Sequence, residues 1–255
     1  VVSFSDTQVT HWLATLLLPL FRVGALLLCM PIIGGHLLPI RIRLYLSLLL
    51  TAVLLPRLPT PIALFGFNLT TLLLVLQEVL TGLLLGFALQ LFFQLFLLAG
   101  QLLASQMGLA FASTVDPASG TSNVVLGQFL NILAILLFLA VDGHLLVIGL
   151  LAESFHNTPI GSGLLSHRYP VLFAQFTPML SGALLLVLPQ IIALLVVNLA
   201  FGFMSRAAPQ LNIFAIGFAV SLLIGLLLLW IGLSGFTDSF QILAHETFIV
   251  LRELI

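Results

Sequence analysis

From Leu69 to Ala99 a single ionisable side chain, Glu78, interrupts an otherwise uncharged and mainly apolar run. A helix rises ~1.5 Å per residue and the hydrocarbon core of a bilayer is roughly 30 Å thick, so this block is too long for one upright crossing. It has to tilt, kink or project beyond the membrane. Asn68 stands just before it as a good N-cap, because its side chain can accept from the first free amides. The rest of the chain repeats the pattern. Hydrophobic residues make up 61% of it and charged residues only 6%, against roughly 25% charged in a soluble domain. The class is therefore an all-α membrane-associated protein. Its seven basic side chains are arginines scattered along the sequence without forming a patch, so nucleic acid is not an expected partner, whereas membrane lipid is.

The other apolar blocks run from His11 to Ile33, Leu44 to Leu55, Val124 to Val141, Leu145 to Phe155, Leu180 to Met204 and Leu211 to Leu233. The first is expected to break at Gly34-Gly35-His36 and Pro39. The second reaches spanning length only if extended backward over Ile40-Arg41-Ile42-Arg43. Asp142-Gly143-His144 predicts a tight helical hairpin with Gly supplying the turn. Gly82 and Gly86 form a GxxxG pair, and Gly217, Ser221 and Gly225 repeat the four-residue spacing; both sets predict faces where another helix approaches closely. Phe92, Phe93 and Phe96 are expected to be packing residues. From Phe236 onward Phe236, Phe240, Leu243, Phe248, Leu251 and Ile255 share one helical face opposite Asp238, His245, Glu246 and Glu253. That predicts a C-terminal amphipathic helix lying on a membrane or on a partner.

The stretch from Gly100 to Gly127 changes character. Glycine, serine, threonine and Asp116-Pro117 are interleaved there with Met107, Leu109, Phe111 and Val115. A long regular helix does not pass through Gly108, Pro117 and Gly120, and irregular backbone in an apolar chain must be shielded by protein or line a water-filled path. This segment is read as the working part, with the helices as scaffold.

Arg22 and Glu78 lie deep inside apolar blocks, where charges are costly and are either paired or facing a cavity. They make a structural bond, a contact with another subunit, or the site of an ion-coupled transporter. In the simplest six-span arrangement Arg41, Arg43 and Arg206 fall on one side and Arg57, Arg168 and Arg252 on the other. The charge bias that usually orients an inner-membrane protein is thus missing, as it would be if some apolar segments packed on protein instead of lipid. No HxxxH or HExxH spacing, no GxSxG and no second cysteine beside Cys29 occur, so neither enzyme, metal site nor cofactor is expected.

Ser205-Arg206-Ala207-Ala208-Pro209-Gln210-Leu211-Asn212-Ile213-Phe214-Ala215-Ile216-Gly217-Phe218 is the most specific stretch. Pro209 stops one helix, Gln210 and Asn212 cap the next, and Gly217 opens its packing face. Together with Gln106-Met107-Gly108, Val115-Asp116-Pro117-Ala118-Ser119-Gly120 and Asp142-Gly143-His144, it resembles the FliR family of flagellar biosynthetic proteins, which also holds the equivalent subunit of virulence type III secretion systems. The likeness runs in order along essentially the whole chain; one departure is Ala219, where the family usually has proline. The resemblance implies helical hairpins in a FliP-like part (about 1–170) and a FliQ-like part (about 171–255). It implies a gate assembled with several copies of FliP and of FliQ, together with FlhB and FlhA, in the bacterial inner membrane at the flagellar basal body. It implies unfolded flagellar subunits as the substrates. It also implies that the central loop, with Gln106, Met107, Gly108, Phe111, Val115, Asp116, Pro117 and Gly120, is a plug that closes the resting channel.

Overall fold

In the computed structural model the described residues are 6–35, 38–58, 68–109, 125–161, 169–207 and 213–255. Every regular element among them is helical: α1 Asp6–Cys29, α2 Ile40–Leu54, α3 Leu69–Gln106, α4 Val125–Ala140, α5 Gly143–Asn157, α6 Tyr169–Ala174, α7 Phe176–Ala207, α8 Ile213–Gly232 and α9 Phe236–Glu253. Three helical runs are long and apolar enough to cross a membrane: Leu69–Gln106, Phe176–Ala207 and Ile216–Glu253.

Several boundaries differ from the sequence expectation for identifiable reasons. Helix α1 stops at Cys29, ahead of Gly34-Gly35, because Pro31 disfavours helical backbone at Met30. Helix α2 starts at Ile40, directly after Pro39, and so includes both Arg41 and Arg43. At the α4–α5 junction the left-handed residue is Asp142 (φ 56°), while the expected turn residue, Gly143, is already the first residue of α5. Aspartate is one of the few side chains that tolerate this conformation.

The chain forms two compact units. The first comprises Val1–Leu91, Val141–Gln175 and Glu246–Ile255. In it α1 lies alongside α3 in parallel. A Cβ on Gly82 would collide with the backbone carbonyl of Arg22 and stand 2.9 Å from the Cβ of Ala25; one on Gly86 would stand 2.6 Å from Cys29 Cβ and 2.9 Å from Leu26 O. The small-residue face thus meets another helix of the same chain.

The second unit comprises Phe92–Ala140 and Phe176–His245. Its centre is an aromatic cluster on the second half of α3. Phe92 and Phe96 are 5.2 Å apart edge to face, Phe93 meets Phe138 of α4 at 5.3 Å, and Phe92 meets Phe240 of α9 at 5.5 Å. Phe96 also packs on Phe236 and Phe240 at 5.6 and 5.7 Å. Such ring pairs add about 0.5–1.5 kcal/mol each beyond the area they bury. The amphipathic face of α9 therefore does not lie on a membrane along this part: Phe236 and Phe240 are buried against α3. The tail continues α8 through one 3-10 turn, Leu233–Gly235, so the two helices count together as a single long run.

Candidate functional site

The central stretch begins later than its composition suggests. Helix α3 persists through Gly100 and Ser105 and ends at Gln106. Its end is closed by two backbone hydrogen bonds, Leu109 N–H to Ala104 O at 3.0 Å and Gly108 N–H to Ser105 O at 3.1 Å, with Gly108 at φ 82°. This is a Schellman C-cap, in which a left-handed glycine lets the last turn satisfy its own carbonyls. Any side chain at position 108 would be strained, and a Cβ there would also stand 2.9 Å from the Phe218 ring.

Three contacts in the second unit hold this helix end. Met107 is fully buried, and its side chain occupies the notch left by Gly225 of α8: a Cβ on Gly225 would come within 2.7 Å of Met107 Cε and 2.8 Å of its Sδ. Asn198 of α7 donates from Nδ2 to the carbonyl of Gln106 at 3.2 Å. Ser221 of α8 donates to Asn198 Oδ1 at 2.8 Å. A polar chain thus runs Ser221–Asn198–Gln106 through an apolar region, where a bare amide or a free helix carbonyl is costly. Beside it opens a cleft of about 390 Å³ lined by residues that include Ser105, Phe201, Gly202 and Phe218.

At the other end of the stretch Gly127 of α4 lies against Gly100 of α3. A Cβ on Gly100 would stand 2.5 Å from Gly127 Cα, and one on Gly127 would stand 2.8 Å from Leu97 O. The two glycines that bound the compositionally distinct stretch touch backbone to backbone, so α3 and α4 are clamped where the segment leaves and returns.

Helices α7 and α8 pair antiparallel. Phe201 meets Gly217, Asn198 meets Ser221 and Gln190 meets Gly232, stepping in opposite directions along the two helices. A Cβ on Gly217 would find Phe201 ring atoms at 3.4 Å or more, an ordinary contact. Arg206 sits exposed in the last turn of α7, where a cation faces the free carbonyls of the helix end. Pro209, Gln210 and Asn212 of the hairpin, and Phe111, Val115, Asp116, Pro117 and Gly120 of the loop, lie outside the described residues.

The first unit contains the buried ion pair. Arg22 donates from Nε to Glu78 Oε2 at 2.8 Å and from Nη2 to Glu78 Oε1 at 2.9 Å. Nη1 reaches Ser154 O at 3.0 Å and Ser154 Oγ at 3.2 Å, and Nη2 reaches Thr158 O at 3.0 Å. The guanidinium also lies 4.3 Å from the centroid of the Phe155 ring. Ser154 and Thr158 form the C-terminal turn of α5, so Arg22 satisfies the exposed carbonyls of a helix end while neutralising a carboxylate on α3. The sequence pointed to Arg22 and Glu78 but not to this third helix. The available signal was a pair of hydroxyl residues four apart closing an apolar run. Among the described residues no three His, Cys, Asp or Glu side chains come together.

The family model of bacterial export proteins, family 1, matches residues 13–247. Along its whole length the chain is 37% identical to the flagellar biosynthetic protein FliR of Pectobacterium carotovorum, 98% of which is covered. It is 39% identical over 231 residues to FliR of Escherichia coli K12, covering 90% of the chain and 88% of that protein. The chain belongs to the FliR family. Kinship extends to the surface presentation of antigens protein SpaR of Shigella flexneri, 30% identical over 158 residues and 62% of the chain. The region matched by the family model takes in the Arg22–Glu78 pair, the α3 end and the α7–α8 hairpin. The chain is thus a membrane component of the bacterial flagellar protein export family.

Proposed function

We propose that the chain is a non-enzymatic gate subunit of the flagellar type III export apparatus in the bacterial inner membrane at the basal body. In this reading it assembles with several copies of FliP and of FliQ, meets FlhB and FlhA, and helps form the channel for unfolded flagellar subunits. Residues 1–170 make its FliP-like part and 171–255 its FliQ-like part, and the central loop helps close the resting channel.

The observation that carries this reading is kinship along the whole chain, 37% identical to a FliR of which 98% is covered. The alternative, a self-contained secondary transporter working through Arg22 and Glu78, needs a partly free charge to hold a coupling ion. Every nitrogen of Arg22 and both oxygens of Glu78 are already engaged within the chain.

Co-expression with FliP-like and FliQ-like chains, followed by purification through a tag on this chain and mass measurement of the intact complex, tests the proposal. A complex with unequal copy numbers is expected. Recovery of this chain alone or as a small symmetric oligomer under those conditions overturns it.

A further inference from the structure

We infer that α2 carries a binding site for an anionic phospholipid. Arg41 takes the phosphate of the headgroup, Tyr45 sits at the headgroup boundary, and Leu49 and Val53 line the acyl chain below it.

Helix α2 is turned inside out. It packs on α1, and its buried residues are Ser47, Thr51 and Leu54. The two hydroxyls are satisfied within the helix: Ser47 Oγ donates to Leu44 O at 2.8 Å and Thr51 Oγ1 to Ser47 O at 2.7 Å. Tyr45, Leu49 and Val53 follow at four-residue spacing on one face and are 68%, 60% and 64% exposed. In water a helix turns such a face inward, whereas lipid tails are as apolar as leucine and leave it free to point out.

Arg41 stands one turn ahead of Tyr45 on the same face. It is also exposed, and among the described residues it makes no hydrogen bond or ion pair. Between Asp6 and Glu78 the sequence holds no acidic residue, and Glu78 is bound to Arg22. Arg43 adds a second charge near the start of α2. Its Nη2 donates to the carbonyls of Gly35 and Leu38 at 2.8 and 3.0 Å, and it too forms no ion pair among the described residues. This end of the helix therefore calls for an anion, and the fork of N–H donors on a guanidinium fits the oxygens of a phosphate. The length of the face fits as well. From Arg41 to Val53 the helix rises ~18 Å, against roughly 15 Å for the half of the hydrocarbon core that one leaflet fills. Cation, phenol and aliphatic side chains thus follow one another in the order in which a leaflet presents headgroup, boundary and chain.

The test titrates the full chain, delipidated in detergent, with dioleoyl phosphatidylglycerol and separately with dioleoyl phosphatidylcholine, and counts bound lipid by native mass spectrometry. Both lipids carry the phosphate, but the choline cancels its charge. One phosphatidylglycerol is expected to bind about fivefold tighter than phosphatidylcholine, the preference that one arginine near an anionic headgroup supplies. Arg41→Gln, at an exposed and unbonded position, is expected to bring the two lipids within about twofold of each other. Equal affinity in the unaltered chain overturns the site, as does a preference that survives in Arg41→Gln. A second measurement identifies the occupant in place: p-benzoylphenylalanine replaces Tyr45, and intact membranes are irradiated. A phospholipid adduct is expected as the main product. A main product with another protein chain, or with a second copy of this one, shows that protein covers the face and overturns the lipid site.

Discussion

Arg22 closes on Glu78 through two parallel hydrogen bonds of 2.8 and 2.9 Å, and neither side chain has any exposed surface. The fork geometry suits a carboxylate, but the pair is only half of the arrangement, since the remaining donors of Arg22 cap α5 at Ser154 and Thr158.

Exchanging the two residues is therefore not expected to rescue the single changes. In Arg22→Glu/Glu78→Arg a carboxylate faces the carbonyls of Ser154 and Thr158, and the helix end loses its cation. Single Arg22→Leu or Glu78→Leu leaves an unpaired buried charge and is expected to cost about 3–5 kcal/mol. Yields of folded chain in detergent check this: the swap should stay as low as the singles, and recovery to more than half of wild type would show that the α5 contacts are dispensable.

Gly82 and Gly217 are expected to respond differently to one added methyl. A Cβ at Gly82 runs into the Arg22 carbonyl, which cannot turn aside, whereas one at Gly217 meets Phe201 at ordinary contact distance. Gly82→Ala is expected to destabilise by about 1–3 kcal/mol and Gly217→Ala by less than about 0.5 kcal/mol. Thermal unfolding of the two purified variants decides it, with equal melting points counting against the geometry.

Deleting Ala110 to Ser119 tests the loop as a seal. The α3–α4 crossing at Gly100 and Gly127 and the Gly225 notch that holds Met107 both lie outside the deletion, so assembly is expected to survive. The resting membrane is expected to leak small solutes or ions. Normal assembly, a tight membrane and export at the usual rate, found together, would show that this loop is not the seal.

Phe240→Ala removes the ring that packs on both Phe92 and Phe96. A loss of about 3–5 kcal/mol is expected. Limited proteolysis checks it, with earlier cleavage in α9; because Phe240 lies on a buried face, Phe240→Leu is expected to restore more than half of the protection.

The helical class, the membrane environment and the burial of Arg22 and Glu78 were all legible in the sequence. Each depends on composition or local spacing, which lipid and backbone chemistry translate directly into structure. Helix ends were legible where the stop is local, as at Pro39 ahead of α2, and less so where a neighbouring residue competes, as with Pro31 overriding Gly34-Gly35. What the amphipathic tail covers, which helix Arg22 caps, and which notch holds the Met107 side chain were decided only by tertiary structure. Phe240 and Phe92, Arg22 and Thr158, and Met107 and Gly225 are far apart along the chain. Helical periodicity specifies which residues share a face, but the partner of that face is chosen by packing: a notch without a Cβ admits one side chain, and a buried donor takes whichever acceptor the fold brings within 3 Å.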